Sequence, residues 1–429
     1  MESFPGYGAT PLPRYRATAG PAAPGMLPCM TRKTAAGPAR EDIQDLSRCA
    51  ALAVDEHRAA PGACVGAAVL REGTLALGLG AAGKLWFPAS PPRSTPAAPP
   101  PVTSGTVYDL ASVTKPLTAL TLARLERAGA LRGDEPLRAF LPELATSRSA
   151  EVPLDLLASH RAGLDGHRPL YAPLLEGRRP VFGEALAIAA DARRDDCAGA
   201  PPEEGFPPVY SDLGYLLLGE ALARRAGLDL DALITREITA PLGLAPAAAD
   251  LAPAIASARA FRTVEPRWDD RVAPTEGVAF RGGVVRGAVH DENAWALTAD
   301  ASAGHAGLFG DALAVTLLGV AILEALAGER PTWLSPSDLV PVLRARPGGS
   351  HRAGFDSRSG PSPSSGSRLG PSTFGHLGFT GTSLWIDPDA RFVGVLLTNR
   401  VHPTRATDAI RRARPATYDA LAEVMLDAR

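Results

Sequence analysis

Ser112-Val113-Thr114-Lys115 sets a hydroxyl and an amine three residues apart where a helical pattern begins. Residues at i and i+3 share one face of a helix, so the amine reaches the hydroxyl oxygen. A serine hydroxyl is a weak nucleophile until its proton is taken. A desolvated lysine of lowered pKa can take it, or can lower the pKa of another base beside it. The helix N-terminus adds a partial positive charge and a backbone N–H where an oxyanion would develop. Lysine is also scarce in this chain. Of 44 basic residues only Lys33, Lys84 and Lys115 are lysines. An arginine does not give up its proton in a protein, so a surviving lysine is a position to question.

Other chemistry-bearing patterns lead less far. Gly78-Leu79-Gly80-Ala81-Ala82-Gly83 followed by Lys84 has the spacing of a phosphate-binding loop. Such a loop must open a helix whose amides hold phosphate, whereas Leu85-Trp86-Phe87-Pro88 leads into a proline-rich segment. No nucleotide is expected there, and no cofactor elsewhere. His290-Asp291-Glu292 and His305 lack the H-E-x-x-H spacing of a zinc site and read as structural hydrogen bonding. G-x-S-x-G is absent, so an α/β-hydrolase nucleophile elbow is not encoded. Taken singly, Ser112 reads as a helix N-cap, Tyr210 as a core tyrosine and Asp212 as the cap of the helix that follows it.

Taken together they read differently. Tyr108-Asp109-Leu110-Ala111-Ser112-Val113-Thr114-Lys115-Pro116-Leu117 resembles the nucleophile region of the serine β-lactamase and penicillin-binding-protein superfamily, in its class C and related-esterase branch. Tyr210-Ser211-Asp212 resembles that superfamily's Tyr-x-Asn element, and Gly375-His376-Leu377-Gly378-Phe379-Thr380-Gly381-Thr382 its Lys/His-Thr-Gly strand. Secondary blocks at 156–164, 289–293, 304–309 and 396–403 extend the resemblance over residues 42–425. It implies that Ser112 is the acylated nucleophile, Lys115 its proton partner and Tyr210 a second base that returns a proton to the leaving group. The oxyanion hole would be the backbone N–H groups of Ser112 and Phe379, with Asp212, His376 and Gly378 beside the substrate. Asn399 and Arg400, after the last strand, are candidates to face the cleft, while His160, His305 and His402 read as structural.

Three departures bear on substrate. Asp212 stands where asparagine is usual, His376 where lactamases have lysine, and Leu377 where a hydroxyl residue is usual. The first adds a negative charge and the second removes a positive one at neutral pH. The resemblance thus implies a metal-independent serine hydrolase working through an acyl-enzyme, on small neutral esters or amides in preference to carboxylate-bearing β-lactams. β-Lactamase or D,D-peptidase action is the alternative among enzymes. A non-catalytic penicillin-binding acyl sensor is the alternative among receptors.

These residues need a frame, and the composition supplies one. Of 429 residues 45% are hydrophobic and 21% charged, ample for a buried core. A net charge of −2 argues against nucleic acid or an anionic membrane as partner, since both need a basic surplus. The most apolar window, 312–323, is about half a membrane span. The N-terminus has no apolar stretch of the signal-peptide kind, so a cytoplasmic location is expected. Cys29, Cys49, Cys64 and Cys197 are scattered, without a disulfide or zinc spacing.

Residues 1–40 read as a disordered tail and 41–429 as one domain. Periodicity predicts a helix over 42–58, a hairpin of 64–70 with 74–80, and a helix over 112–128. Further helices are predicted over 154–160, 182–193, 212–225, 230–238 and 312–327, then an exposed Gly/Ser/Pro-rich insertion over 347–371. Strands over 378–386 and 392–398 and a C-terminal helix to 426 close the chain. The expected fold is α+β: an antiparallel sheet flanked by helices, from about 42–120 and 290–429, with an all-helical part, 121–289, inserted. Oligomeric state is not encoded in these patterns.

Overall fold

The segment 62–71, GACVGAAVLR, is apolar at nearly every position instead of at alternate ones, the pattern of a strand covered on both faces. The computed structural model describes residues 43–71, 73–92, 98–247 and 253–427, and places this segment inside a seven-stranded sheet. In chain order the strands are β1 (Gln44–Asp45), β2 (Gly62–Arg71), β3 (Thr74–Gly83), β4 (Tyr108–Asp109), β5 (Ile255–Ser257), β6 (Gly277–Val278), β7 (Gly283–Val284), β8 (Leu308–Gly310), β9 (Asp356–Ser357), β10 (Phe374–Leu377), β11 (Ser383–Asp387) and β12 (Phe392–Thr398). The sheet runs β1-β3-β2-β12-β11-β10-β9 and is antiparallel except where β1 joins β3. A second sheet, β4-β8-β5, and the β6–β7 pair are smaller.

Alternate residues of the central strands feed two cores. Cys64, Ala68 and Leu70 join Leu384, Ile386, Val393, Val395 and Leu397 against the helix Ala312–Leu326. Ala63, Val65, Ala67 and Val69 join Trp385, Phe392 and Leu396 against the helices Ser47–Ala51 and Ile410–Asp427. A register slip of one residue would exchange the two sets, so burial on both faces fixes the pairing. Between β4 and β5 lie the helices Thr114–Arg127, Leu154–Ala158, Phe182–Asp191, Asp212–Ala226 and Leu230–Ile234. From residue 255 onward short strands are added, and β5 returns the chain to β8 beside the nucleophile strand β4.

The structure differs from the sequence reading at four places. The part expected to be all-helical, 121–289, carries β5, β6 and β7, because after residue 254 the chain returns to pair with β8. The first helix is short, Ser47–Ala51, and continues as a π-turn, Leu52–Glu56. The 347–371 segment is not an exposed insertion, because Ala353, Phe355 and Leu369 are buried and β9 within it pairs with β10. One of its glycines marks a close approach: at Gly354 (φ 73°) a Cβ would stand 2.5 Å from Ala119 Cβ and 2.9 Å from the Lys115 carbonyl oxygen. The strand expected over 378–386 is interrupted, β10 ending at Leu377 and β11 starting at Ser383, with a tight loop closed by Gly378 N–H donating to the Thr382 carbonyl at 2.7 Å. The glycines at 78–83 belong to β3, and no helix opens there. The predicted tail, 1–40, lies outside the described residues. Among the described residues no helix is long and apolar enough to cross a membrane. Cys49, Cys64 and Cys197 are buried free thiols.

Candidate active site

β4 delivers the chain to a turn in which Ala111 takes φ 48°, and Ser112 follows in a 3-10 turn that runs into the helix Thr114–Arg127. Pro116 sits in the first turn of that helix, where no intrahelical N–H is missed. Lys115 is 0% exposed, and its three protons meet three acceptors. Nζ donates to Ser112 Oγ at 3.0 Å, to Asp212 Oδ1 at 2.7 Å and to the His305 carbonyl at 3.3 Å. Asp212 is free for this because Ser211, not Asp212, caps its helix: Ser211 Oγ accepts from Gly214 N–H at 3.2 Å and donates to the Asp165 carbonyl. The expectation of a lysine with lowered pKa is corrected here. Burial pulls Lys115 down, but the Asp212 carboxylate and Tyr210 outweigh it and hold the ammonium above its usual range.

Tyr210 lies over the same lysine, with Nζ 4.6 Å from its ring centroid. Burial raises its pKa, while the Lys115 charge and hydrogen bonding with Lys115 and Ser112 pull the other way. Three histidines surround the ring, His160 at 4.7 Å, His351 at 5.7 Å and His376 at 6.0 Å between centroids. Burial and the neighbouring Lys115 charge push His376 down to about 3, and burial likewise lowers His160 and His351. All three are therefore neutral at neutral pH. His160 Nδ1 accepts from Ser211 N–H at 3.0 Å, and His376 Nδ1 lies 2.8 Å from the Leu377 carbonyl, a bond that needs Nδ1 protonated and leaves Nε2 as an acceptor. His351 was invisible to the sequence reading because it sits in the Gly/Ser/Pro-rich segment; an imidazole amid small residues was the available signal.

The loop 378–382 closes the site from the sheet side. Thr380 Oγ1 donates to the Asp109 carbonyl at 2.7 Å and Thr382 Oγ1 to the Leu110 carbonyl at 2.9 Å. From beneath, buried Arg414 donates to the Gly378 and Thr382 carbonyls at 2.7 and 3.0 Å. Gly378 is required by this closeness, since a Cβ there would stand 1.9 Å from Thr382 Oγ1 and 2.6 Å from the Leu110 oxygen. Phe379, 45% exposed, stacks on His290 at 5.8 Å, with the guanidiniums of Arg400 and Arg405 at 4.6 and 5.2 Å from its ring.

The structure thus brings together Ser112, Lys115, Tyr210 and Asp212, with His376 against Tyr210 and the Gly378–Phe379 backbone against the nucleophile turn. Two sequence candidates are placed otherwise. Asn399 is 1% exposed and donates through Nδ2 to the Leu85 and Pro274 carbonyls. Arg400 donates to the Phe379 and Thr407 carbonyls, so it braces the loop instead of presenting a free cation to the cleft. His305 contributes its carbonyl to Lys115 and its ring to Asp291 at 3.0 Å, and among the described residues no three ligating side chains gather as a metal site would need. The assembly offers a hydroxyl beside a buried ammonium–carboxylate pair and a tyrosine, with the loop 378–382 packed on the turn that carries it, which suits attack on a carbonyl carbon.

Comparison with known proteins bears on the family and the fold. A family model described as Beta-lactamase matches residues 11–417. A putative D-alanyl-D-alanine carboxypeptidase of Escherichia coli K12 is 27% identical over 318 residues, 71% of each chain. An N-acetylmuramyl-L-alanine amidase of Bacillus subtilis is 28% identical over 318 residues, 69% of this chain and 68% of that one. Among solved structures, EstCE1, a hydrolase with promiscuous acyltransferase activity, shares the fold with a TM-score of 0.60 at 22% identity, covering 87% of this chain and 96% of its own. A class C beta-lactamase from Rhodobacter sphaeroides gives 0.59 at 18% identity, covering 86% and 96%.

Proposed function

Because the chain belongs to the Beta-lactamase family of serine hydrolases, we propose that it forms a covalent acyl-enzyme at Ser112 and acts on small, uncharged esters or amides. The observation that carries this reading is the Lys115 ammonium, bonded at once to Ser112 Oγ and Asp212 Oδ1. A protonated lysine has no lone pair with which to accept the serine proton. Bound substrate excludes water, and in a drier site an ion pair loses its advantage over the neutral amine and acid. Lys115 then passes one proton to Asp212 and takes the Ser112 proton as Oγ attacks the carbonyl carbon. The tetrahedral oxyanion rests on the Ser112 and Phe379 N–H groups. Tyr210 gives its phenol proton to the leaving group as the bond to it breaks and takes the serine-derived proton from Lys115, which recovers its own from Asp212, so the resting charges are restored. Water releases the acyl group by the reverse route.

Charge supports the substrate class. Lys115 and Asp212 neutralise each other, and His376 is neutral. Of the guanidiniums beside Phe379, Arg400 is committed to backbone carbonyls and Arg405 to Glu276 and Glu292, each at 2.5 Å. A substrate carboxylate therefore forgoes a charge-assisted hydrogen bond, a loss of about 1.5–3 kcal/mol, or roughly ten- to a hundredfold in binding. The test is kcat/KM on p-nitrophenyl acetate or butyrate against a chromogenic cephalosporin and a D-Ala-D-Ala peptide. Esters are expected to lead, with His376→Lys shifting the ratio toward the cephalosporin. The names of the curated relatives favour D,D-peptidase action instead, and efficient peptide cleavage with ester turnover near background would establish it.

A further inference from the structure

We propose that Asp109 is a positioning residue that holds the nucleophile turn in its reactive shape, and that loss of its charge switches off acylation as the pH falls. The inference rests on Ser112 being the nucleophile. Asp109 ends β4 and is 2% exposed. One carboxylate oxygen accepts from Ala111 N–H at 2.8 Å, the other from His290 N–H at 2.7 Å, and its own carbonyl accepts from Thr380 Oγ1. A single side chain thus ties the turn before Ser112 to the segment at 290, while its backbone ties both to the oxyanion loop. Ala111 needs the tie, because an alanine at φ 48° is in the left-handed region that L-residues leave when free to do so. Relaxation of that turn would rotate the Ser112 N–H and Oγ away from the loop at 378–382.

Both carboxylate oxygens accept backbone N–H, and an added proton turns one of them into a neutral hydroxyl oxygen that accepts more weakly and carries an O–H neither N–H can take up, so the tie slackens. The surroundings bring that event near neutrality. Burial raises Asp109 to about 6 against the two N–H bonds, with the Asp291 charge raising it further and Arg281 lowering it. Arg281 donates to the Val289 and His290 carbonyls; Asp291 is paired with His305; His290 lies 3.8 Å from Glu276; the nucleophile helix contributes Lys115. β8 and the loop 378–382 bring no titratable side chain to it. The sign is opposite for fold and function. A carboxyl raised in the fold gives its stability contribution in full below its unfolded value and loses it as pH rises through about 6. The ionised form that the turn requires is the one that burial disfavours, so activity falls below about 6 while Asp109 does not weaken the fold there.

The experiment follows the rate at which a neutral fluorophosphonate phosphonylates Ser112, with loss of fluoride, from acidic to neutral pH, with thermal melting at each pH. Wild type is expected to lose this labelling with a midpoint near pH 6 while still folded. Asp109→Asn is expected to lower the neutral-pH rate about a hundredfold, as an ångström of misplacement does, with KM for an ester within about threefold, and to lose that midpoint. Asp109→Asn with wild-type rate, or with the same midpoint, overturns the proposal. So does a wild-type profile flat across pH 6, which needs no variant to fold. If wild type takes no adduct on Ser112 at any pH, it is the functional reading that fails.

Discussion

Asp212→Asn puts the family's usual residue back at that position and separates two accounts of how Lys115 works. Nζ and Oδ1 are 2.7 Å apart, the lysine wholly buried and the Asp212 side chain 22% exposed. An opposite charge this close favours the ammonium, so the Asp212 carboxylate is what offsets the burial of Lys115. Without Asp212, burial governs, and Lys115 falls from above its usual range toward or below it. If Asp212 is the final proton acceptor, the variant has none. Turnover at neutral pH then drops about 10²–10⁴-fold, and recovers only as rising pH strips Lys115 directly, so the acid limb of kcat moves to alkaline pH. If Lys115 instead sheds its proton to solvent before reacting, the lower pKa enlarges the share of neutral amine, and the variant is faster near neutrality. The assay is kcat against pH for p-nitrophenyl acetate, with melting curves at each pH. The stability that Lys115 gains from Asp212 is present below its unfolded value and lost as pH rises through the raised folded value, so the variant melts earlier at neutral pH. An acid limb displaced downward, or higher turnover at neutral pH, refutes the relay.

Lys115→Arg keeps the charge but removes the neutral form, and kcat should fall on the order of a hundredfold or more; near wild-type turnover would reduce Lys115 to a positive field. Gly378→Ala forces the loop away from the Leu110 carbonyl, so kcat should fall on the order of a hundredfold, as for a lost oxyanion donor, with the Ser112 adduct still formed slowly. A Gly378→Ala enzyme of normal kcat would show that the loop's closeness to the turn has no catalytic use.

Much of this was legible in the sequence because it is local. The i, i+3 spacing alone put Lys115 within reach of Ser112, and the apolar runs of β2 and β12 marked the sheet. What was missed depends on long-range packing. The sign of the Lys115 shift required Asp212, 97 residues on, to arrive within hydrogen-bonding distance. His351 and Gly354 looked like loop composition, yet they face Tyr210 and the nucleophile helix, because glycine in a tight packing site and glycine in an open loop are identical in sequence. Asn399 and Arg400 looked like cleft residues because polar side chains beside a strand end usually are exposed; here buried backbone carbonyls claim them. Asp109 gave no signal of its own, since a carboxylate that accepts two backbone N–H groups is recognisable only once both partners are in place.

The central claim is that Ser112 carries the acyl group, and intact-mass analysis with peptide mapping after exposure to a fluorophosphonate tests it most directly. One adduct is predicted per chain, on Ser112, and none on Ser112→Ala. Stoichiometric labelling of Ser112→Ala, or an adduct mapped to another serine of the wild-type protein, would contradict the account.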